Sequence, residues 1–417
     1  MPIPIGSASS VTYSSKMLPT RQMSPRVPAF PFRFEMYSLE THGSMMADRA
    51  RLTAYGEALR RAVRPGAVVA DIGCGGGIFS LMACRAGARR VFAMETDPII
   101  AVAREAAAAH GFSDRIVFLA GNSAHVELPE RADVLVFDVR GILPHFGRSM
   151  ATIMDARKRF LAPRGAIIPQ QDTVWAALSG ASSFYRDLIS PWSGDTCGFD
   201  MSAARHAVLN SIHRGCFQQT QIVGEPQRCW VLDYTILDNP NAAAEVTFEI
   251  QRPATAYGCF LWFDAVLGEG VGYTTAPGAP ETVYGTAFFP WLEPVGLTPG
   301  ERVCAAFHAD PAGSSYVWRW NTAVYAADRS TQPRIQFQQS TFFGELLSPS
   351  LLNLHSPACV PKLNEEAAVQ RFLLERMDGR ISLEEAARAC AVRFPERFAC
   401  WEEAFEYASR LAEKYSR

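Results

Sequence analysis

The chain has 417 residues, and its 40 Lys and Arg against 42 Asp and Glu give a formal charge of −2. A near-neutral chain lacks the basic excess with which a duplex nucleic-acid binder displaces counterions, so no nucleic-acid partner is expected. No run of about 18 apolar residues exists to span a membrane, and at about 150 residues per domain the length allows two or three domains.

Residues 1–30 are rich in Ser and Pro, carry Lys16, Arg21 and Arg26 and no acidic residue, and lack a continuous apolar segment. They read as a disordered leader, with a transit peptide as the alternative, and the remainder as a cytoplasmic protein. Four short apolar runs then behave as strands: Val68–Asp71, Arg90–Glu95, Arg115–Leu119 and Asp133–Asp138. Helical patterns over Ile78–Ala86 and Pro98–His110 fall between them, and alternating strands and helices predict a parallel α/β sheet. Near Pro163–Pro169 the pattern changes to strand-like segments such as Cys229–Tyr234 and Cys259–Phe263, separated by Gly, Pro and Asn turns, which predicts an antiparallel β-domain. After Pro361, Glu365–Arg376, Ser382–Ala391 and Trp401–Lys414 read as three amphipathic helices. The ten cysteines include no Cys-x-x-Cys pair and no zinc-finger spacing with histidine, so reduced cysteines and no metal site are expected.

The strongest chemical signal is Asp71-Ile72-Gly73-Cys74-Gly75-Gly76-Gly77, which follows the first strand and opens a helix. Glycines there let the backbone turn sharply and approach a ligand where a Cβ would collide. A dinucleotide fingerprint requires a glycine at 78, and Ile78 occupies that place. The Gly-x-Gly-x-Gly form instead resembles the first motif of class I S-adenosylmethionine-dependent methyltransferases. Glu95, at the end of the second strand, is placed to accept ribose hydroxyls.

Upstream, His42, Met45, Asp48, Arg51 and Tyr55 have the spacing His-x-x-Met-x-x-Asp-x-x-Arg-x-x-x-Tyr. This resembles the N-terminal helix of the protein arginine N-methyltransferase family; an amphipathic surface helix is the alternative. Ala86–Val91, Gly198–Ser202, Tyr273–Pro277 and Pro299–Glu301 match further phrases of that family in order, so the resemblance covers about residues 35–340. It implies a Rossmann-like methyltransferase domain over 31–166 and a β-barrel domain over 167–346. The barrel domain would carry a dimerisation arm near 180–205, and the chain would form a homodimer. It also implies that S-adenosyl-L-methionine is bound by His42, Met45, Arg51, Asp71, Gly73, Cys74, Gly75, Gly77, Glu95, Thr96, Asn122 and Ser123, with Arg51 pairing the methionine carboxylate.

The acceptor site departs from the family. Two glutamates hold the substrate guanidinium there, the first in Ser-Glu-x-Met-Gly. In Phe137-Asp138-Val139-Arg140-Gly141 the first falls on Asp138 and the methionine on Arg140, while the second glutamate falls on Gly147. The family's Thr-His-Trp falls on Thr282-Val283-Tyr284, without its histidine. A guanidinium stays charged in water and is costly to bury without carboxylates, so a neutral or anionic acceptor is expected instead. Candidate catalytic groups are Asp138 and His145 as base or orienting groups and Arg140 as a grip for a carboxylate. A solvated loop histidine and a surface ion pair are the respective alternatives.

Residues 347–417 form a small helical domain, and Phe372–Ala387 followed by Phe394-Pro395 resembles PqqD-like domains, which bind leader peptides. The favoured function is therefore methylation of a peptide or protein side chain, with a ribosomally made precursor peptide recruited through a leader bound by this tail. A methyltransferase of free arginine or a related metabolite, and a non-catalytic peptide-binding or subunit scaffold, remain open, as does a tail that only packs or dimerises.

Overall fold

The computed structural model describes residues 37–328, 331–346, 353–354 and 356–416. The leader expected over 1–30 lies outside them. Two compact units divide the chain, one ending at Gly344 and the other beginning at Glu345.

The first unit opens with α1 (Leu39–Ala47) and α2 (Arg49–Ala62). The single helix suggested by the upstream motif is broken at Asp48, whose carboxylate caps α2 through the Arg51 amide at 3.0 Å and accepts the distant Val283 amide at 2.8 Å. Five parallel strands follow: β1 (Val68–Ile72), β2 (Arg90–Glu95), β3 (Ile116–Ala120), β4 (Ala132–Phe137) and β5 (Leu161–Ile168). Their order is β3-β2-β1-β4-β5, with α3 (Ile78–Ala86), α4 (Ile100–Ala109) and α5 (Ser149–Phe160) as crossovers. Order reverses beside β1, so the loops leaving β1 and β4 open onto the crevice where ligands of such sheets bind. Every residue of β1 is buried, as a strand covered on both faces requires.

Beyond β5 the chain is antiparallel. A six-stranded sheet runs β10-β6-β12-β14-β9, with β13 paired to β12. Its strands are β6 (Gln171–Ser179), β9 (His213–Gly215), β10 (Ile222–Asp233), β12 (Ala254–Gly268), β13 (Val271–Thr274) and β14 (Thr286–Leu297). Between β6 and β9 come α6 (Ser182–Ile189), a short β7–β8 hairpin (Asp195–Thr196, Phe199–Asp200) and α7 (Ala203–Leu209), the region expected as an arm. A four-stranded sheet has the order β11-β15-β16-β17, from Ala242–Glu249, Arg302–Ala312, Ser315–Tyr325 and Ile335–Ser340.

The expected single barrel is thus corrected to two sheets. No backbone ladder joins their edges among the described residues; they meet through side chains instead. Phe289 of β14 packs its ring 5.8, 5.6 and 5.2 Å from Phe307, Trp318 and Trp320 of the other sheet, and Trp320 donates its indole N–H to the Pro290 carbonyl at 3.2 Å. One buried apolar cluster runs from Val69 and Phe137 through Phe289 to Trp320, so the sheets on either side of Pro163–Pro169 share a core.

In the second unit, helices Glu365–Leu374, Leu383–Arg393 and Trp401–Tyr415 bury Val369, Leu373, Ala387, Cys390, Ala404 and Ala408 against one another. Ser382 and Glu385 form a reciprocal cap at the start of the middle helix. No strand occurs among this unit's described residues; of the segment Leu351–Val360, which a strand pair would need, Leu351, Leu352 and His355 lie outside them. Among the described residues no helix is long and apolar enough to cross a membrane.

Candidate active site

The glycine loop leaves β1 directly beneath α1. Gly73, Gly75 and Gly77 have φ of +70°, +52° and +82°, and a Cβ on Gly77 would lie 2.8 Å from that of Ala103. Only glycine adopts these angles and this approach without strain. The loop is tied to β2 because the Gly73 and Cys74 amides donate to the Met94 carbonyl at 2.9 and 3.0 Å. Glu95 then accepts the Gly75 amide at 2.8 Å with one oxygen and the Thr96 and Asp97 amides at 2.7 and 2.9 Å with the other. Glu95 therefore orders the loop as well as facing the crevice.

Asp71, wholly buried at the end of β1, accepts the Ser80 hydroxyl at 2.6 Å through Oδ2, while Oδ1 has no hydrogen-bond partner among the described residues. Burial pushes its carboxyl up to about 7, against the opposing pull of Ser80. An orphaned carboxylate oxygen beside a glycine cradle fits a ligand that brings an ammonium group, and S-adenosylmethionine brings one. Because the folded chain holds the Asp71 proton more tightly than the unfolded chain, this stabilising contribution is present below the unfolded carboxyl pKa and lost as pH rises through about 7. The stability of the ligand-free chain relative to Asp71→Asn is thus expected to fall between about pH 5 and about pH 8. Urea unfolding at the two pH values checks this; a constant difference contradicts it.

Of the other residues expected at the cofactor, His42 is buried and lies near the loop, 3.9 Å from where a Gly75 Cβ would stand, with Nε2 unpaired by any hydrogen bond and 3.9 Å from Asp97. Met45 contributes its carbonyl, which accepts an Arg51 N–H at 2.6 Å. Cys74 is buried in the loop, where burial raises its thiol pKa, so it stays protonated. Asn122 caps a short turn through the Ala124 amide at 2.9 Å, and the Ser123 carbonyl accepts from Arg159 at 2.6 Å; both follow β3.

The segment after β4 abuts the same loop: Val139 Cγ1 stands 3.0 Å from the position of a Gly73 Cβ. Here side chains from α2, β6, β13, the end of β10 and the turn before β14 gather around Asp138 and Arg140. Asp138 accepts Arg51 at 2.5 Å through Oδ2, and Tyr284 at 2.5 Å and Arg140 at 3.1 and 3.2 Å through Oδ1. Arg140, whose side chain has no exposure, also donates to both oxygens of Asp172 at 2.9 and 3.2 Å and to the Tyr55 and Tyr273 hydroxyls at 2.7 and 2.6 Å. Tyr234 completes Asp172 at 2.6 Å. Burial alone would raise Asp138, but Arg140 and Arg51 outweigh it and hold the carboxyl below its usual range.

Three expectations change here. Asp138 is not a free base, because both oxygens are committed and its proton affinity is lowered. Arg140 neither grips a substrate carboxylate nor forms a surface ion pair; it is buried with its donors spent inside the chain. His145 stands apart from both. Its ring is 3% exposed and boxed edge-on by Trp230, Tyr316 and Trp318 at 5.7, 5.3 and 6.1 Å, with neither nitrogen hydrogen-bonded among the described residues. Burial lowers its pKa to about 4, so it is a neutral packing residue rather than a base or a solvated loop group. Asp172, Tyr234 and Tyr273 were not expected in the site. An acidic residue inside the strand-like stretch around Asp172 was a signal, though a weak one, that a buried partner existed. Among the described residues no cluster of His, Cys, Asp and Glu could hold a metal.

The family model for ribosomal protein L11 methyltransferase (PrmA) matches residues 55–180. A probable protein arginine N-methyltransferase 6 of Arabidopsis thaliana is 30% identical over 284 residues, 64% of this chain, and the chain spans only 64% of that relative's length. Protein arginine N-methyltransferase 1 of Dictyostelium discoideum is 23% identical over 312 residues, covering 72% of this chain and 91% of its own. Among solved structures, the Trypanosoma brucei PRMT1 enzyme-prozyme heterotetrameric complex with AdoHcy superimposes with a TM-score of 0.65 at 21% identity, over 73% of this chain and 98% of that one. The parallel sheet and the antiparallel sheets sharing its core are therefore the fold of solved arginine methyltransferases.

Proposed function

We propose that the chain is an S-adenosylmethionine-dependent methyltransferase acting on a side chain of a protein or peptide, through an acceptor pocket altered from that of the arginine methyltransferases. The observation that carries this is the glycine loop ordered by Glu95 beside the orphaned Asp71 oxygen, a cradle for a ligand with both hydroxyls and an ammonium group. The relatives named above are protein arginine methyltransferases, which supports the donor and a macromolecular acceptor. The altered pocket rests on Asp138, which is already neutralised from within the chain. Asp71, Glu95 and Arg51 would hold the cofactor, whose sulfonium supplies the methyl group. Methyl transfer is an in-line displacement, so the chain's main task is to position the acceptor and exclude water.

The region from α6 to α7 exposes Phe199 and Met201, which suits it to a homodimer contact. A precursor peptide recruited through the tail rests on the PqqD-like phrase alone, because no strand edge is present among the tail's described residues on which a leader could pair. Labelled methyl transfer to a pool of synthetic peptides, by the full chain and by a chain lacking 362–417, tests these readings together. Transfer to peptides is expected from the full chain, and leader recruitment predicts its loss on truncation. Transfer to free arginine and to no peptide would contradict a peptide acceptor.

A further inference from the structure

Resting on the methyltransferase reading above, we infer that Arg140 is a resident guanidinium that fills the cation-binding part of the acceptor pocket, so that the chain rejects cationic acceptors and methylates a carboxylate. The Arg140 side chain is enclosed by two carboxylates and two phenol oxygens, and its Cζ lies 5.1, 5.5, 5.6 and 6.0 Å from the ring centres of Phe263, Tyr284, Tyr273 and Tyr55. Carboxylates on one side and aromatic faces around the rest are the groups that recognise a guanidinium. The neighbouring Val139 touches the glycine loop and Asp138 binds Arg51, so this box stands at the cofactor crevice rather than elsewhere in the core.

The balance of charge follows. Arg51 is paired with Asp138 and, at 3.7 Å, with Asp48, and Arg140 with Asp138 and Asp172; every oxygen of the three carboxylates is engaged. A second guanidinium or an ammonium entering here would meet no unspent carboxylate, a costly burial. Proton bookkeeping narrows the class further. Asp138 is a weak base, the Tyr55 and Tyr273 hydroxyls are held protonated by burial, and His145 is packed in its own aromatic box. Within this box an alcohol, phenol or amide acceptor would find no group to take its proton. A carboxylate has none to lose: one of its oxygens bonds to the methyl carbon as the carbon–sulfur bond breaks, the electron pair stays on sulfur, and a neutral ester results. An imidazole acceptor would instead gain a positive charge with no unspent carboxylate to pair it.

The test uses the full chain saturated with S-adenosylhomocysteine. In Arg140→Ala, methylguanidinium chloride at about 10 mM is expected to raise the thermal midpoint by about 2 °C or more, with no response from the unsubstituted chain. A folded variant that does not respond overturns the resident-guanidinium reading. Should Arg140→Ala fail to fold, Arg140→Met keeps the length of the side chain, and binding of three tetrapeptides differing only in a central Asp, His or Arg is measured. The unsubstituted chain is expected to bind the Asp peptide at least about tenfold more tightly than the Arg peptide, and Arg140→Met to lose most of that preference. Preference for the Arg or His peptide, or no preference, overturns the carboxylate assignment while leaving the methyltransferase reading intact. Failure to bind S-adenosylhomocysteine at all would instead remove the reading on which it rests.

Discussion

Asp172→Ala is expected to destabilise the first unit by about 3–5 kcal/mol, the cost of stranding one member of a buried ion pair. Asp172 has no exposure and takes both Nη1 hydrogen bonds of Arg140 together with the Tyr234 hydroxyl. Arg140 cannot relieve the loss by shedding its proton, because a guanidinium keeps its charge even when its partner is removed. Adding Arg140→Met to Asp172→Ala should recover much of the stability, because both charges then leave together and an apolar side chain of similar length fills the space. Urea unfolding of the two single variants and the double variant measures the coupling. Strict additivity would contradict a buried pair that acts as a unit. Urea is preferred to guanidinium chloride because the box recognises guanidinium.

Glu95→Ala carries the second large effect, on the cofactor rather than on the fold. Its two oxygens hold the amides of Gly75, Thr96 and Asp97, and in the proposed complex they also accept the ribose hydroxyls. Losing two hydrogen bonds to a charged acceptor, at about 1.5 kcal/mol each, weakens S-adenosylhomocysteine binding about 100-fold. Glu95→Gln keeps the shape, but turns an N–H₂ toward backbone donors when it offers its oxygen to the ligand, so it should fall between the two. Equilibrium titration of the three chains checks the order, and equal affinity of Glu95→Ala and the unsubstituted chain would contradict it.

The parallel sheet was legible because its signals are local. Apolar runs such as Val68–Asp71 and Arg90–Glu95 coincide with strands, and the glycines between Asp71 and Ile78 announce a turn that no other residue makes so easily. Arg51 stood out only through the resemblance of its motif to the arginine methyltransferase family, and in the structure its closest partner is Asp138. The proposed acceptor pocket was only half legible. Asp138 and Arg140 stood out as departures from a family pattern, but their partners Asp172, Tyr234, Tyr273 and Tyr284 come from β6, from the end of β10, from β13 and from the turn before β14, contacts that no periodicity reveals. His145 misled for the same reason. Its neighbours in sequence read as a loop, whereas Trp230, Tyr316 and Trp318, which bury it, arrive from two different sheets. A turn-rich boundary near Pro163–Pro169 says nothing of whether the flanking sheets share a core, which one buried cluster shows that they do.

Isothermal titration of the full chain with S-adenosylhomocysteine tests the central claim most directly. One saturable site per chain, with affinity falling about 100-fold in Glu95→Ala, is the predicted result. No saturable binding, or binding indifferent to Glu95, would contradict a methyltransferase built on this loop.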